Sequence, residues 1–313
     1  ANMVSNEVFL DSATLRENVV SIARNIGYLP RSRKSSRARV TFSIDVSGTA
    51  IVSVTLKAGP VCLTSESFSN TSFSFCTMED ITVPVDSTGT ATFEDIDIHE
   101  GSFLTQSFTV NSRLPNQKFI LPNSGIDTDT IRVSVKDSAS SSVTRKYSQY
   151  SSLIGADKNT ALYFLRETEG ERYELLFGDG VFGVELEEPN EIIVNYLTCS
   201  GASSNGLANF TFAGRVEDNN GNALTNGFSS ITTTEAAIGG DDIESVESIK
   251  KLAPNIYASQ DRAVTATDYE TLVPRLYGEA ESVAAYGGED LDPPQYGKVF
   301  ISIKPYNGVF LSE

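Results

Sequence analysis

From Val40 to Thr234 apolar side chains return mostly at every second position, which confines the middle of the chain to half-buried β-strands. Val40, Phe42, Ile44 and Val46 alternate with Thr, Ser and Asp, and Val52, Val54 and Leu56 repeat the pattern. Phe73 and Phe75, then Phe93, Ile96 and Ile98, then Ile131, Val133 and Val135 extend it. Turn signals separate the runs: Ser47-Gly48, Pro122-Asn123-Ser124-Gly125 and Asn219-Asn220-Gly221-Asn222. Asp137 to Ser142 reads as a polar connector. Ser and Thr together supply 65 of 313 residues, a composition that favours strands and turns over helices. No repeat of 20–50 residues is present, which disfavours a solenoid or propeller.

Helical patterns stand at the two ends. Val8, Leu15, Val19, Ile22 and Ile26 recur at spacings that build one face of a helix from Glu7 to Gly27. Gly27 reads as its stop, with Pro30 just beyond. Ala1 to Ser5 is helical in character and uncapped, so the sequence reads as starting inside a longer helix. Near the C-terminus, Asp241-Asp242 read as caps of a helix carrying Ile243, Val246, Ile249 and Leu252 and ending at Pro254. Thr265 and Asp268 form a capping-box variant, with Val264 and Tyr269 placed for a hydrophobic staple. That helix reaches Pro274, near Leu276. Val299, Ile301 and Ile303 make a further strand, and the turn Tyr306-Asn307-Gly308 leads toward another. The expected fold is α+β, mainly β. It comprises a helical arm over 1–30, a basic linker over 31–39, a β-rich region over 40–238 with one or two subdomains, and an incomplete α+β unit over 239–313.

Charge narrows the function. A net charge of −17 opposes coating of DNA or RNA, which needs Lys and Arg against phosphate. The basic residues are concentrated early: residues 1–40 carry seven basic and three acidic side chains. Arg31, Arg33, Lys34, Arg37 and Arg39 read either as a solvated linker or as a docking arm for an acidic partner. No apolar run approaches 18 residues, so no membrane helix is expected. The acid-bearing amphipathic start does not read as a signal peptide. Cys62, Cys76 and Cys199 are odd in number and lack a C-x-x-C pair, which points to a reducing compartment.

Catalytic and metal-binding patterns are weak. One histidine, His99, excludes metal sites that need several His ligands, and no G-x-S-x-G accompanies it for a serine triad. Gly178-Asp179-Gly180-Val181-Phe182-Gly183 spells G-x-G-x-x-G, but the residues after it, Val184 to Pro189, alternate like a strand, carry three Glu and end in proline. A pyrophosphate needs a helix N-terminus there, so the segment reads as a hairpin turn. Glu94, Asp95, Asp97, His99 and Glu100 read as the wet face of an edge strand; a glycosidase carboxylate pair or a Ca²⁺ site are the alternatives. Asp290-Leu291-Asp292-Pro293-Pro294 reads as a stiff exposed loop, with metal binding the alternative. Asn70-Thr71-Ser72 and Asn209-Phe210-Thr211 match the glycosylation sequon, without a secretory signal to give it weight. The residues by themselves favour an interaction or structural role over an enzyme, with no catalytic, cofactor or metal residue nominated.

The order of several segments carries a resemblance. Ala58-Gly59 ends an early strand, Glu100-Gly101 precedes a Phe-rich stretch, and Phe119-Ile120-Leu121-Pro122-Asn123-Ser124-Gly125-Ile126-Asp127 lies beyond it. Phe177-Gly178-Asp179-Gly180-Val181-Phe182-Gly183 comes next, then Ile192 to Tyr196 and Ile249 to Pro254. Asp261-Arg262-Ala263-Val264-Thr265 and Asp268-Tyr269-Glu270 close the series. Over nearly the whole chain this resembles the baseplate J-like family of contractile-tailed phages, and within it the inner-ring wedge proteins of T-even-type myophages. The resemblance implies a non-enzymatic part of the virion, assembled in the host cytoplasm, that rings the tail hub and transmits the trigger for sheath contraction. Implied partners are a second copy, another large wedge protein, sheath-linking subunits and, indirectly, the hub. Neither nucleic acid, membrane insertion nor a cofactor is implied. The N-terminal helices of such proteins join an inter-subunit bundle, and their C-terminal domains pair into the ring. This sequence is shorter at both ends than the full-length wedge protein.

The stripe Val8, Leu15, Val19, Ile22 and Ile26 lacks an evident core of its own to cover and, with Arg31, Arg33 and Lys34, forms the candidate partner interface. Gly178, Asp179, Gly180, Gly183, Arg262, Thr265, Asp268 and Tyr269 are candidate structural motif residues, with Arg262 pairing Asp268 to fix the Thr265 cap. A glycan-binding adhesin or tail fibre module is the alternative function, although Trp, a usual sugar platform, is absent. A glycosidase working through carboxylates is the third reading.

Overall fold

The computed structural model describes residues 7–64, 72–114, 117–150, 155–260, 262–277 and 280–305. The expectations for Ala1 to Ser5, Asn70 and Tyr306-Asn307-Gly308 lie outside these residues. The chain divides into two units, one of Ala1–Arg31 with Glu244–Glu313 and one of Ser32–Ile243. The first unit therefore joins the two ends of the chain, so the N-terminal helix and the C-terminal region are one body rather than an arm and a separate domain.

The larger unit is built of strands. The first six are β1 (Arg37–Asp45), β2 (Ser53–Leu56), β3 (Gly59–Thr64), β4 (Ser74–Thr77), β5 (Ile81–Pro84) and β6 (Thr90–Glu100). Next come β7 (Ser102–Thr109), β8 (Phe119–Ile120), β9 (Ile126–Lys136), β10 (Thr144–Gln149), β11 (Leu162–Thr168), β12 (Arg172–Phe177) and β13 (Glu191–Thr198). The last four are β14 (Phe210–Phe212), β15 (Val216–Asp218), β16 (Ala223–Leu224) and β17 (Thr232–Ile238).

A six-stranded sheet, β14-β3-β4-β6-β1-β17, shares one core with a four-stranded sheet, β16-β15-β2-β5. The alternation explains the pairing of faces: along β1, Ala38, Val40, Phe42 and Ile44 are buried while their neighbours are half-exposed. Phe42 stacks on Phe93 at 4.8 Å and meets Phe212 at 5.0 Å between ring centroids. A second core lies within the seven-stranded sheet β7-β13-β9-β10-β11-β12-β8. Phe108 of β7 and Phe119 of β8, from opposite ends of that order, meet edge-to-face at 5.7 Å. The sheet is thus curled so that its outer strands face each other across the core. Cys76, Met78 and Leu197, with Phe103 against them, form a small apolar contact between these two halves of the unit.

Two strand expectations change. β6 is not an edge strand, because β4 and β1 flank it. Phe93 and Ile96 lie three apart yet both point inward, since they face Phe42 and Val40, which are two apart. The extra residue makes a bulge at Glu94-Asp95, where Asp95 takes a φ of 47°. The two carboxylates therefore stand exposed on a bulge and Glu100 is buried. Val52 precedes its strand and is exposed.

The smaller unit holds helices α1 (Arg16–Asn25), α2 (Val246–Ser259) and α3 (Ala266–Leu276) and the antiparallel pair β18 (Ala280–Gly287) and β19 (Val299–Pro305). Helix α1 is shorter than its periodicity suggests. Leu15 is its N-cap and lends no side-chain bond; the carboxylate of Glu7 does so instead. It accepts from the Thr14 N–H at 2.9 Å, the Leu15 N–H at 3.3 Å and Asn18 Nδ2 at 2.9 Å, which pins residues 7–14 as turns. At the other end Gly27 behaves as expected. Its φ is +81°, its N–H bonds the Arg24 carbonyl and the Tyr28 N–H bonds that of Ala23, a Schellman stop.

Helix α2 is capped by Ser245 Oγ, which accepts from the Ser248 N–H at 3.2 Å, not by Asp241 or Asp242. Asp241 instead exchanges backbone bonds with Lys34. Pro254 lies inside α2 rather than ending it, whereas α3 ends at Leu276, just past Pro274, as its sequence suggests. Pro254 is on an exposed face, where water can satisfy the carbonyl that loses its N–H partner.

Candidate assembly surfaces and the buried polar joint

The apolar stripe of the N-terminal segment is covered mainly by its own chain. Val19 is fully buried, Val20 and Ala23 are buried beside it, and Ile22 and Ile26 pack half-buried in a cluster with Ile249 and Ala253 of α2. The expectation that this face has no core of its own is corrected, because the C-terminal region supplies one. A polar clasp reinforces the contact. The buried carboxylate of Glu244 accepts from Tyr28 Oη at 2.8 and 2.9 Å, from the Arg31 N–H at 2.9 Å and from Ser248 Oγ at 2.7 Å. The Arg16 guanidinium donates to the Glu244 carbonyl, and Lys250 Nζ donates to the Asp11 carbonyl at 3.1 Å. Before the helix, Ala13 is buried in the same cluster and Leu10 packs against it, while Val8 (63% exposed), Phe9 (68%) and Leu15 (52%) stay in solvent. Hydrogen bonds from the Thr14 and Asn18 side chains and from the Thr14 and Leu15 backbone hold the Glu7 carboxyl at about 2, below its usual 4.5.

The basic segment is not a free arm. Lys34 pairs with Asp129 at 3.0 Å, Arg33 reaches Asp242 at 4.0 Å, and Arg39 bonds Asp97 at 2.9 Å and faces Glu235 at 3.6 Å. Arg37 lies 3.9 Å from Asp97. Arg37 and Arg39 already belong to β1. Arg33, Lys34, Arg37 and Arg39 thus face acids of their own unit instead of projecting as an unpaired linker.

Ser35, His99 and Asp127 meet where the two cores of the larger unit join. Ser35 Oγ donates to Asp127 Oδ2 at 2.6 Å, the Ser35 N–H adds a bond at 2.9 Å, and His99 Nδ1 lies 3.4 Å from Ser35 Oγ. The residue types of a serine triad are present, but the hydroxyl proton goes to the carboxylate rather than to a histidine base. Ser35 and Asp127 are also buried. Burial pushes the Asp127 carboxyl up and His99 down, so both lean toward neutral forms. Next to them, Glu100 accepts from the Ser200 N–H at 2.9 Å and from Ser204 Oγ at 3.4 Å, and burial pushes its carboxyl up. The arrangement is a satisfied polar joint. Among the described residues, no group of three or more His, Cys, Asp or Glu side chains is placed to hold a metal ion. Cys62, Cys76 and Cys199 are free and buried, and burial pushes the Cys62 and Cys199 thiols to about 12.

The two sequence motifs fold locally and differently. Gly178–Gly183 is a compact loop, not a hairpin: no strand comes directly after it, and Gly178 bridges Glu185 in parallel sense. Asp179 does not take positive φ; Gly180 and Gly183 do, while Asp179 Oδ1 accepts from the Val181 and Phe182 N–H groups. At α3 the capping box is complete: Thr265 Oγ1 accepts from the Asp268 N–H at 3.3 Å and Asp268 Oδ2 from the Thr265 N–H at 2.8 Å. Asp268 also accepts from the Val264 N–H at 3.0 Å. Arg262 bonds Gln260 Oε1 at 2.9 Å and reaches Asp268 only through its field, which helps hold that carboxyl below its usual range after the backbone bonds from Thr265 and Val264. Tyr269 is half-buried, but Val264 is 78% exposed, so the staple leaves it in solvent. Sequence reasoning missed Glu7 as a cap, Glu244 as the clasp and the Ser35–Asp127 bond. Only Glu7 left a readable signal, as an acid ahead of Thr14.

Residues 265–313 match the family model described as baseplate structural protein gp6, C-terminal domain I. The baseplate wedge protein gp6 of Enterobacteria phage T4 is 24% identical over 328 aligned positions, covering 99% of this chain and 48% of that protein. The chain thus spans about half the length of this curated relative. A chain of the anti-feeding prophage baseplate, solved by cryo-EM with six-fold symmetry, aligns at 15% identity and a TM-score of 0.32, covering 89% of this chain and 49% of that one. A TM-score that low does not establish a common fold.

Proposed function

We propose that this chain is a structural, non-enzymatic component of a contractile tail baseplate wedge, located in the virion. The observation that carries the reading is the similarity to a baseplate wedge protein along 99% of the chain, with the gp6 C-terminal domain I match beginning at the capping box residue Thr265. The buried triad-type residues and the satisfied polar joint fit a scaffold, since they stabilise contacts within the unit and present no open nucleophile. In this reading the chain belongs to an inner ring around the tail hub, the part expected of the baseplate J-like wedge proteins. A second copy, other wedge proteins and sheath-linking subunits are its partners, with the hub contacted indirectly, and it passes on the trigger for sheath contraction. Val8 and Leu15 are the part of the N-terminal stripe left, with the neighbouring exposed Phe9, for an inter-subunit helical bundle, while Val19, Ile22 and Ile26 serve the chain's own core.

The experiment is immunogold labelling of purified contractile-tailed particles with antibodies against the larger unit. Gold at the baseplate end of the tail is the expected result. Gold on fibre tips would favour the adhesin reading, and particles free of the chain would end the proposal.

A further inference from the structure

We propose that the loop tip Val181-Phe182 is a docking knob for a different tail subunit, one whose surface offers an apolar pocket rimmed by Lys and Arg. The inference rests on the baseplate reading and adds a contact point that the reading does not specify. Val181 is 65% exposed and Phe182 44%, whereas Val184 and Leu186 just beyond pack against the core of the curled sheet. The chain therefore had buried positions within two residues and leaves these two outside.

Isolated exposed apolar residues are ordinary on a protein surface. This tip differs in how firmly it is held. Asp179 Oδ1 accepts the Val181 N–H at 3.0 Å and the Phe182 N–H at 2.9 Å. The Gly180 N–H bonds the Gly183 carbonyl, the Gly183 N–H bonds the Asp157 carbonyl at 2.8 Å, and the Val184 N–H bonds the Thr160 carbonyl at 3.0 Å. A Cβ at Gly178 would lie 2.4 Å from the Gly183 carbonyl carbon, and one at Gly183 would lie 2.8 Å from Leu162 Cγ at a φ of +87°. The two ends of the loop are therefore clamped together, and the knob is ordered before it meets a partner. Preorganisation of this kind removes much of the entropy cost of docking an aromatic anchor.

Charge selects the partner. Segments 155–160 and 178–190 carry Asp157, Asp179, Glu185, Glu187 and Glu188 against a single base, Lys158. The Asp157 and Asp179 carboxyls are held below their usual range, the first mainly by Thr160 Oγ1 and the second mainly by the Phe182 N–H, so they remain charged in mild acid. A second copy of this chain is a poor occupant, since its net charge is −17 and Arg33, Lys34, Arg37 and Arg39 already face acids of their own unit. A cationic rim on another subunit complements the tip and disfavours self-docking.

The test places the photocrosslinker p-benzoylphenylalanine at position 182 of the full-length protein in assembled tails, with irradiation and then peptide mapping. The expected product joins this chain to one heterologous peptide with apolar residues flanked by Lys or Arg. A product with the chain's own sequence, a product with an acidic peptide, or no product in particles that contain the chain overturns the inference and leaves the baseplate reading standing. Particles that lack the chain overturn both. As a companion, the double variant Val181→Ser/Phe182→Ser keeps the melting temperature of the isolated protein and lowers its incorporation into tails by ~10-fold, the loss expected of an aromatic hot spot. Unchanged incorporation contradicts the inference.

Discussion

Replacing Val19 and Leu15 separately by Ala distinguishes an internal seam from an inter-subunit one. Both residues belong to the same apolar stripe, and their sequence spacing makes them equivalent. In the fold they are not: Val19 is 0% exposed in the cluster with Ile249 and Ala253, whereas Leu15 caps α1 from solvent at 52% exposure. Val19→Ala removes two buried methyl groups, worth about 0.8 kcal/mol each by transfer, and leaves a void against α2. With the cavity contribution the loss is about 2–3 kcal/mol. Leu15→Ala removes more carbon but from a half-solvated site, and its cost is within about 0.5 kcal/mol. Urea unfolding of the full chain, with probes in the unit that joins the chain ends, measures both. The two units can unfold separately, so the transition must be assigned to the smaller one before values are compared. If Leu15→Ala destabilises the isolated chain as much as Val19→Ala, the packing of α1 on α2 is wrong. If neither does, the helix is not part of the chain's own core.

Glu244→Ala strips the acceptor from Tyr28, Arg31 and Ser248 inside a buried site, and costs roughly 2–4 kcal/mol in urea unfolding; Glu244→Gln recovers part of it. Thr265→Ala removes the cap of α3 and lowers stability by about 1 kcal/mol; protection of the Asp268 amide against hydrogen exchange falls with it, and unchanged protection would refute the cap. The Glu7 carboxyl is depressed from 4.5 to about 2, so its support of the turn before α1 is complete above pH 4.5 and is lost as pH falls through about 2. Amide shifts of Thr14 and Leu15 tracked by NMR should titrate in that window, and a midpoint near 4.5 contradicts the bonds drawn to Glu7.

Much of the β architecture was legible because half-buried strands write their faces at every second residue. Val40, Phe42 and Ile44 turned inward together, and Thr265-x-x-Asp268 formed the capping box that its spacing announces. The failures have local or long-range causes. The bulge at Glu94-Asp95 inserts one residue, so Phe93 and Ile96 share a face despite odd spacing. Val8 and Leu15 fit a helical period, yet the Glu7 carboxylate folds their segment into turns before α1 begins. The proline rule placed the end of α2 at Pro254, but the helix runs on to Ser259, where Ile256 packs in the cluster and Ser259 is buried. The cover for Val19 comes from Ile249 and Ala253, more than 200 residues away in sequence, and periodicity has no means of pairing them. The Asp179 carboxylate organises its loop through backbone N–H groups, which a glycine pattern does not reveal.

A chain that is a fixed structural part of a contractile tail baseplate must be visible there in a cryo-EM reconstruction of intact tails. The curled seven-stranded sheet and the two-sheet core of the larger unit are the shapes to be found in the map. They are expected in a ring around the hub, with the α1–α2 contact intact within each chain. A map whose baseplate ring contains no density for either core, in tails that carry the chain elsewhere, would contradict the baseplate role.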